Sequence, residues 1–238
     1  MNGDFTLDGF LGGRLTIAQP KNGFRAGHDS VLLAAAVPAS AGERVLELGS
    51  GVGVASLCLA ARTNCDILGI EIDPVLVATS NDNAKRNGME RVRFVAGDTR
   101  QVKFDALFDH VFFNPPFHPD TGQVSPHSAR DRATRDTDDA VRSWTRHALT
   151  LVKQDGTVTA ILRADRLDDF LKVAGRAGAA VLPLLPSAGE APKRVIVQKR
   201  AGDTSPLRTM AGFPLHEDGR PTHGAEAVLR HGAALPIF

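Results

Sequence analysis

The sequence has only two cysteines, no long apolar run and no clear excess of either charge. Cys58 and Cys65 are too few for a disulfide framework, so we expect reduced thiols that are half-buried in the core. With 28 Lys and Arg against 27 Asp and Glu, the net charge of +1 does not by itself indicate a polyanionic partner. A nucleic-acid site must therefore come from local clustering of basic residues.

Targeting and membrane signals are also missing. Residues 1–4 show no basic segment followed by an apolar run, and no stretch approaches the length of a membrane span. We therefore expect a cytoplasmic protein without membrane contact. The eight histidines are scattered without the close spacing of metal ligands, so no metal site is predicted.

The length and the apolar content bound the domain organisation. With 238 residues, 42% of them hydrophobic, the chain can bury one substantial core and is too short for two comfortable domains. We predict a single domain, with a hairpin and a helix over residues 1–40, the core over residues 41–200 and an extension over residues 201–238. The irregular stretch at residues 119–139 is long, and such loops are usually functional or disordered.

Short apolar runs alternate with helix-forming stretches across the core. Strands are predicted at residues 45–48, 67–70, 92–95, 110–113, 157–162, 180–184 and 194–197, and helices at residues 54–61, 75–87, 143–152 and 167–177. This alternation predicts an α/β fold with a parallel sheet, right-handed crossovers and helices on both faces. Ligands of such sheets bind outside the carboxyl ends of the strands.

Turn and helix-cap residues mark further boundaries. Glycine turns are predicted at Gly12-Gly13, in an N-terminal hairpin, and at Asp155-Gly156, ahead of a core strand. Helix caps are predicted at Asp29-Ser30, before an apolar helix over residues 31–37, and at Asp73.

A glycine-rich turn follows the first core strand. Glu47 precedes Gly49, Ser50, Gly51 and Gly53 at a strand-to-helix turn. Glycines remove side chains so that a ligand can lie against the backbone, and the helix N-terminus offers free N–H groups to a carboxylate. The Glu47 carboxylate can take an ammonium. A site for a carboxylate next to a site for an ammonium group matches the amino-acid end of S-adenosylmethionine. The glycine spacing does not fit the dinucleotide-binding pattern, because the third glycine comes one residue early.

Two further acids follow the next strands. Glu71 ends the second core strand and can accept hydrogen bonds from both ribose hydroxyls, as acids at this position do in nucleotide-binding sheets. Asp98 follows the third strand and can accept from an adenine amino group. Each acid alone reads equally well as a solvated loop carboxylate, but acids at three successive strand ends are harder to explain in that way.

The motif Asn114-Pro115-Pro116-Phe117 directly follows the fourth strand. An exocyclic or amide NH₂ group is a poor nucleophile because its lone pair is delocalised. The Asn114 side-chain oxygen and the Pro115 carbonyl can each accept one N–H, which aims the lone pair at the sulfonium methyl. Phe117 can stack on the flat substrate. The motif therefore predicts N-methylation of a base or an amide without a metal.

These motifs resemble those of the class I methyltransferases and, within them, the bacterial tRNA(Val) adenine N6-methyltransferase family. The resemblance covers nearly the whole chain. Besides the glycine turn and the Asn114 motif, it is carried by residues 19–25, 29–34, 193–195 and 215–222.

The resemblance implies a Rossmann-like, seven-stranded, mostly parallel sheet whose last strand is antiparallel. It also implies a cofactor site at Gly49, Gly51, Glu71 and Asp98. The expected reaction is N6 methylation at Asn114 of the adenine beside the anticodon. Family members often have Tyr where Phe117 stands, so stacking survives here without a hydroxyl contact.

Basic residues are candidates for RNA contact. Those with few acids nearby in the sequence are Arg14, Lys21 and Arg25, and then Lys193, Arg194, Lys199, Arg200 and Arg208. Either cluster can hold an RNA backbone, with Arg25, His28, Lys193 and Arg194 as the predicted substrate contacts, or form a solvated face. A loop adenine is the easier target because its base is already unstacked.

Three alternatives stay open. Glutamine N5-methylation of proteins uses the same motif on an amide, but we expect those enzymes to carry a separate N-terminal helical domain, and about 40 residues precede the glycine turn. Guanine N2-methylation of ribosomal RNA also fits the motif. A non-catalytic nucleotide-binding module has no use for Asn114.

Trp144 is expected to pack within a helix rather than to face a base. RNA adenine N6-methylation with S-adenosylmethionine is the favoured prediction.

Overall fold

A computed structural model describes residues 4–23, 25–116 and 140–237 of this chain. It begins with strands β1 (Phe5–Phe10) and β2 (Leu15–Pro20), which pair antiparallel. The turn between them passes through Gly12 and Gly13 at φ angles of 66° and 89°, a left-handed conformation that glycine adopts readily. The predicted N-terminal hairpin is confirmed. The predicted loop at residues 119–139 lies outside the described residues.

The core alternates strands and helices, as the sequence predicts. In chain order it contains α1 (His28–Ala36), β3 (Arg44–Leu48), α2 (Val54–Ala60), β4 (Asp66–Glu71), α3 (Pro74–Arg86), β5 (Val92–Ala96), β6 (Phe108–Phe113), α4 (Ala140–Leu151), β7 (Val152–Arg163), a short 3-10 turn (Ala164–Arg166), α5 (Leu167–Ala174), β8 (Ala179–Ser187) and β9 (Arg194–Arg200). The C-terminal part adds β10 (Arg208–Thr209), β11 (Phe213–Glu217), β12 (Arg220–Pro221) and α6 (His223–His231).

Strands β3 to β12 form one ten-stranded sheet in the order β12-β11-β8-β9-β7-β6-β3-β4-β5, with β10 paired to β8 off this path. Strands β3 to β7 pair in parallel, and β9 runs antiparallel to both β7 and β8. The mostly parallel sheet with an antiparallel strand is confirmed. The expected count of seven strands is too low because β10, β11 and β12 extend the edge at β8. The division of the chain into the segments 1–40, 41–200 and 201–238 stays a prediction.

Two hydrophobic layers cover the two faces of the sheet. Phe112 packs into the layer that includes side chains of α1, α2, α3 and α6, and Phe113 into the layer that includes side chains of α4 and α5. Neighbouring residues of one strand can serve both layers because successive side chains point to opposite faces. Each fully buried phenylalanine contributes about 1.5–3 kcal/mol of hydrophobic stabilisation. The prediction of helices on both faces is confirmed.

Both cysteines are free thiols in the first of these layers. They are buried, more deeply than the expected half-burial. Burial raises the pKa of the Cys58 thiol to about 12, with a smaller contribution from the nearby Glu47 carboxylate. Such a thiol stays protonated and unreactive, which fits a packing role.

One predicted helix cap is confirmed and another is wrong. The Asp73 side chain accepts from the Val75 N–H at 2.9 Å and caps α3 as expected. Helix α1 starts earlier than predicted, at His28, and no side chain caps it. Asp29 therefore lies in the first turn, where it accepts from the Arg194 Nε at 3.0 Å. A local pattern could not reveal this partner, which is 165 residues away.

The turn predicted at Asp155-Gly156 is also wrong, because both residues lie inside β7. The register of β7 against β6 shifts between Phe108 and His110, and Asp155 has a φ of 67°. A Cβ at Gly156 would lie 2.5 Å from the Asp109 carbonyl oxygen. The glycine therefore permits a close approach of two strands at an irregularity rather than a chain reversal.

Asn83 ties the hairpin to the core. This residue of α3 is 0% exposed, and its side-chain oxygen accepts from the Ala18 N–H at 2.8 Å. Its amide nitrogen donates to the Ala18 carbonyl at 3.1 Å and to the Val52 carbonyl at 3.0 Å. Because Ala18 belongs to β2 and Val52 to the glycine turn, one side chain joins three segments.

Replacing Asn83 with alanine is expected to lower the free energy of unfolding by about 2–4 kcal/mol. The substitution strands buried backbone groups of Ala18 and Val52, and each unsatisfied group costs about 1–3 kcal/mol. Equilibrium urea unfolding measures the loss. Asp82→Ala, at an exposed position on the same helix, is the matched control and should stay within about 0.5 kcal/mol of the parent. Equal stability of the two variants would contradict the proposed anchoring.

Candidate active site

The residues predicted for the site meet at one edge of the sheet. Strands β5, β4, β3 and β6 are neighbours and parallel, with Leu48 opposite Phe113. The glycine turn follows β3, and the other predicted residues stand at or after the carboxyl ends of β4, β5 and β6, namely Glu71, Asp98 and Asn114. The structure therefore gathers them where parallel sheets bind ligands.

The three glycines of the turn have positive φ angles but different surroundings. The φ angles are 70° at Gly49, 54° at Gly51 and 87° at Gly53. A Cβ at Gly53 would lie 2.6 Å from the Phe94 ring, and one at Gly49 would lie 2.4 Å from the Trp144 ring. At Gly51 the same position is open. Only Gly51 therefore leaves space for a ligand, whereas the other two make room for aromatic side chains of the protein itself.

Glu47 lies beneath this turn and is 4% exposed. Its carboxylate accepts hydrogen bonds from the Ser56 N–H at 3.1 Å and from the Ser56 hydroxyl. Burial raises the pKa of Glu47 to about 8, although the two Ser56 hydrogen bonds lower it and the charge of Glu71 raises it further. Such a carboxyl group is largely protonated at neutral pH and gains from a nearby cation when it ionises.

Glu71 supports the same turn from β4. One carboxylate oxygen accepts from the Gly51 N–H at 2.9 Å, and the other accepts from the Asp73 N–H at 3.0 Å. The residue is 9% exposed, so these bonds fix the orientation of a nearly buried group. An ionised carboxylate can accept about four hydrogen bonds. Glu71 therefore retains acceptor capacity for a pair of hydroxyl groups.

Asp98 is held by side chains that follow it in the sequence. Its two carboxylate oxygens accept from Arg100 Nε and Nη2, each at 3.1 Å, and one also accepts from the Gln101 amide at 3.1 Å. Partial burial alone would raise the pKa of Asp98, but the hydrogen bonds and the charge of Arg100 outweigh it and lower the pKa below its usual value. The Arg100 backbone N–H also donates to Asp98, at 2.9 Å, so four hydrogen bonds hold this ionised carboxylate just after β5. A ligand N–H must therefore share an oxygen with one of these donors or replace it.

Asn114 and Ser50 each carry a buried polar atom without a hydrogen-bond partner among the described residues. Within the described residues, the Asn114 Oδ1 and the Ser50 Oγ are the buried side-chain oxygens or nitrogens with no hydrogen-bond partner. An unmet buried acceptor costs about 1–3 kcal/mol, so it is expected where a ligand supplies the donor. The Asn114 oxygen can only accept, which fits an N–H group. These atoms thus fit a ligand with polar hydrogens between β3 and β6.

The rest of the Asn114 motif is described only in part. Pro115 is buried and Pro116 is exposed. Phe117, with its expected stacking role, lies outside the described residues. The roles of all these motif residues stay predictions.

The basic clusters are more paired than the sequence suggests. Arg25 has few acids near it in the sequence, but it forms an ion pair with Asp8 of β1 and donates to the Thr6 hydroxyl at 2.9 Å. Arg194 pairs with Asp29 at 3.0 Å. In both cases the fold brings together residues from separate elements. Solvent-accessible pairs are worth about 0–1 kcal/mol, and both pairs are only partly buried, so a polyanion can still compete for the arginines.

The two other predicted substrate contacts are exposed. His28 opens α1 and, with Arg25, lines a cavity of about 530 Å³ between the hairpin, α1 and the C-terminal strands and helix. Lys193 directly precedes β9, whose first residue lies opposite the last residue of β7. Lys193 therefore shares the sheet edge that carries Asn114, whereas His28 belongs to the hairpin cavity.

Three side chains of the site were not predicted as functional, namely Ser56, Arg100 and Trp144. Ser56 is the one polar residue of α2, a signal that could have indicated a buried partner. Arg100 stands two residues after Asp98, close enough for a local ion pair. Trp144 was expected to pack within a helix, and its contact with Gly49 has no local signal because the two residues are far apart in the sequence.

The described residues contain neither a membrane-spanning helix nor a cluster of metal-binding side chains. In residues 4–23, 25–116 and 140–237, no helix is both long and apolar enough to cross a membrane. The same part of the chain contains no group of three or more His, Cys, Asp or Glu side chains that could hold a metal ion. The expectation that the reaction needs no metal stays a prediction.

The sequence matches the model of the family described as Methyltransferase small domain over residues 25–143. A Bacteroides fragilis protein named tRNA1(Val) (adenine(37)-N6)-methyltransferase is 27% identical over 191 residues, which cover 77% of this chain and 80% of that protein. A Yersinia enterocolitica protein of the same name is 29% identical over 182 residues, 72% of this chain and 68% of that protein.

Solved structures share the fold. A predicted O-methyltransferase from Agrobacterium tumefaciens matches with a TM-score of 0.71 at 22% identity, over 87% of this chain and 98% of that one. A 16S rRNA N2 methyltransferase from Thermus thermophilus, solved with AdoMet and guanosine, matches with a TM-score of 0.60 at 17% identity, over 83% of this chain and 50% of that one. With the family match, these findings show that the chain belongs to the methyltransferase small domain family and is an S-adenosylmethionine-dependent N-methyltransferase.

Proposed function

We propose that this enzyme methylates the N6 atom of an unpaired adenine in RNA, and that the RNA is a transfer RNA modified near its anticodon. The observation that carries the proposal is the buried, unpartnered Asn114 Oδ1 at the end of β6, beside the glycine turn. The names of the relatives that are 27–29% identical support adenine as the target and transfer RNA as the substrate. The cytoplasmic location expected from the sequence is part of the same proposal.

The chemistry begins with the adenine amino group, whose lone pair is delocalised into the ring. The Asn114 Oδ1 accepts one of its N–H groups and the Pro115 carbonyl accepts the other, which localises the lone pair on nitrogen. S-adenosylmethionine supplies an electrophilic methyl group on a sulfonium. As the new N–C bond forms and the S–C bond breaks, the nitrogen gains a positive charge that the two acceptor oxygens stabilise. The extra proton then leaves to water.

The methyl donor is held, in this proposal, by the residues around the glycine turn. Gly51 leaves open space next to the backbone, Glu71 retains acceptor capacity for the ribose hydroxyls, and Asp98 is fixed as an acceptor for the adenine amino group. Glu47 lies beneath the turn as the counter-charge for the ammonium group. Gly49 and Gly53, also predicted at the cofactor site, shape this turn. The Ser50 hydroxyl, which has no hydrogen-bond partner among the described residues, is a further contact for the ligand.

Gly51→Ala is expected to weaken S-adenosylmethionine binding at least about tenfold, which corresponds to about 1.4 kcal/mol. The new methyl group meets no atom of the described residues within 4 Å, so it occupies the space that the proposal leaves for the ligand. Gly88→Ala is the matched control, because Gly88 also has a positive φ, 68° against 54°, and an open Cβ position. Isothermal titration measures both affinities. If the two variants bind the cofactor as the parent does, Gly51 does not border the cofactor.

The substrate is identified by nucleoside mass spectrometry. Bulk transfer RNA, ribosomal RNA and protein from cells that lack the enzyme are incubated separately with S-adenosylmethionine and the purified enzyme, then digested for mass spectrometry. We expect N6-methyladenosine to appear in the transfer RNA fraction. N2-methylguanosine in ribosomal RNA, or N5-methylglutamine in protein, would replace the proposal with one of the alternatives. Absence of any methylated product, with cofactor binding intact, would also overturn it.

A further inference from the structure

Trp144 is a half-buried residue of α4 that touches both sides of the candidate active site. Its ring packs edge-on against Phe113, with centroids 6.0 Å apart and an interplanar angle of 68°. The far side of the indole fills the space of a side chain at Gly49, where a Cβ would lie 2.4 Å from Cη2 and 2.8 Å from Cζ3. We propose that Trp144 is a positioning residue that sets the spacing between the glycine turn and Asn114.

The strand pairing explains why this contact affects the spacing between Gly49 and Asn114. Leu48 and Phe113 are register partners on adjacent strands, Gly49 directly follows the first, and Asn114 directly follows the second. One rigid indole therefore contacts both Gly49, in the turn that we assign to the methyl donor, and Phe113, the residue directly before Asn114. Reacting atoms must come within about 3–3.5 Å of each other, and a displacement of 1 Å can cost about 100-fold in rate. This inference rests on the proposed function of these two elements.

A packing role alone does not account for the position of Trp144. Helix α4 is already anchored on the sheet by the buried side chains of Val141, Ala148 and Leu151. Arg142 adds a pair of hydrogen bonds to Asp169 of α5, at 2.9 and 2.7 Å. The indole is only half-buried and reaches beyond this layer to the backbone of the glycine turn. Trp144 therefore packs on this layer and also brings α4 into contact with the glycine turn.

The contact with Trp144 also explains why glycine stands at position 49. Glycine at this position is explained by the indole that occupies its Cβ direction, in addition to its φ of 70°. In the parent, Gly49→Ala must displace the Trp144 ring. In a Trp144→Ala background the ring is absent, and the main cost of the same substitution is the strain of the positive φ. The two residues should therefore be coupled in a double-mutant cycle.

The first test is kinetic. Trp144→Ala is expected to lower kcat about 100-fold with little change in the KM for RNA, because alignment rather than RNA binding is lost. Trp144→Phe, which retains an aromatic ring, should recover much of the loss. Leu149→Ala removes a partly buried side chain that packs on the same core from the same helix, and should change stability but not kcat. Parent-like kcat in Trp144→Ala, or equal loss in Leu149→Ala, would overturn the inference.

The second test does not need turnover. S-adenosylmethionine affinity is measured for Gly49→Ala, Trp144→Ala and the double variant, and we expect Gly49→Ala to weaken binding less in the Trp144→Ala background. Equal weakening in both backgrounds would overturn the inference. Trp144 is the only tryptophan and the chain has no tyrosine, so indole fluorescence reports on this contact directly and should change when the cofactor is added. Parent protein that binds the cofactor but methylates no RNA would contradict the proposed substrate while leaving this cycle interpretable.

Discussion

Asn114→Ala is expected to reduce methyl transfer to RNA by about 100- to 1,000-fold, the usual cost of removing one group that stabilises developing charge. The affinity for S-adenosylmethionine should stay close to that of the parent, because the lost Asn114 oxygen bonds to the RNA base and not to the methyl donor. Since the Asn114 Oδ1 has no partner among the described residues, its removal strands no buried donor of theirs. The free energy of unfolding should therefore stay equal or rise slightly.

The combination of lost turnover and retained stability separates this asparagine from the structural ones. Asn87→Ala is the matched control, because the Asn87 side chain bonds to the Thr16 N–H at 3.0 Å and to the Thr16 carbonyl at 2.9 Å in the hairpin. That variant should lose stability and retain its turnover per folded molecule. Single-turnover kinetics, isothermal titration and thermal unfolding measure the three quantities. Retained turnover in Asn114→Ala would remove this residue from the mechanism.

Glu47→Gln is expected to make the protein without cofactor more stable at pH 8 and a poorer binder of S-adenosylmethionine. The unfolded chain releases the Glu47 proton near pH 4.5, whereas burial holds the pKa of the folded protein at about 8. Because the folded pKa is raised, the contribution of Glu47 to stability is fully present below pH 4.5 and is lost as the pH rises towards 8. The loss is on the order of 1 kcal/mol per pH unit.

Glutamine does not ionise, and its side-chain oxygen can keep the hydrogen bonds from Ser56. The stability advantage of Glu47→Gln should therefore grow from near zero at pH 4.5 to roughly 3–5 kcal/mol at pH 8. Urea unfolding across this range measures it, with Glu190→Gln, at an exposed glutamate, as the control. Cofactor affinity should fall at least about tenfold, as the counter-charge for the ammonium is gone. A pH-independent difference in stability would mean that Glu47 is not buried in its neutral form.

Features that depend on neighbours along the chain could be predicted from the sequence. The strand at residues 45–48 and the helix after Asp73 follow from local periodicity and from a cap whose two partners are two residues apart. The edge where Glu71 and Asn114 meet follows from the rule that parallel strands end together. The pattern thus gave the elements and the place of the site.

Features that depend on contacts between distant residues could not be predicted. The glycine turn alone indicates open backbone at Gly49 and Gly53, but the rings that fill this space, Trp144 and Phe94, come from other elements. Asp29 looks like a helix cap until the fold brings Arg194 next to it. The Asp29 carboxylate can accept a hydrogen bond from a helix N–H or from an arginine, so only the three-dimensional structure decides between these two partners.

The Asn83 side chain links the order of the hairpin to the order of the glycine turn. It bonds to Ala18 in the hairpin and to Val52 in the turn, so order in one segment favours order in the other. Linkage of this kind is reciprocal, so immobilising the hairpin favours an ordered glycine turn, and ordering the glycine turn favours an immobile hairpin. One buried amide thus allows a change of order in one segment to alter the stability of the other.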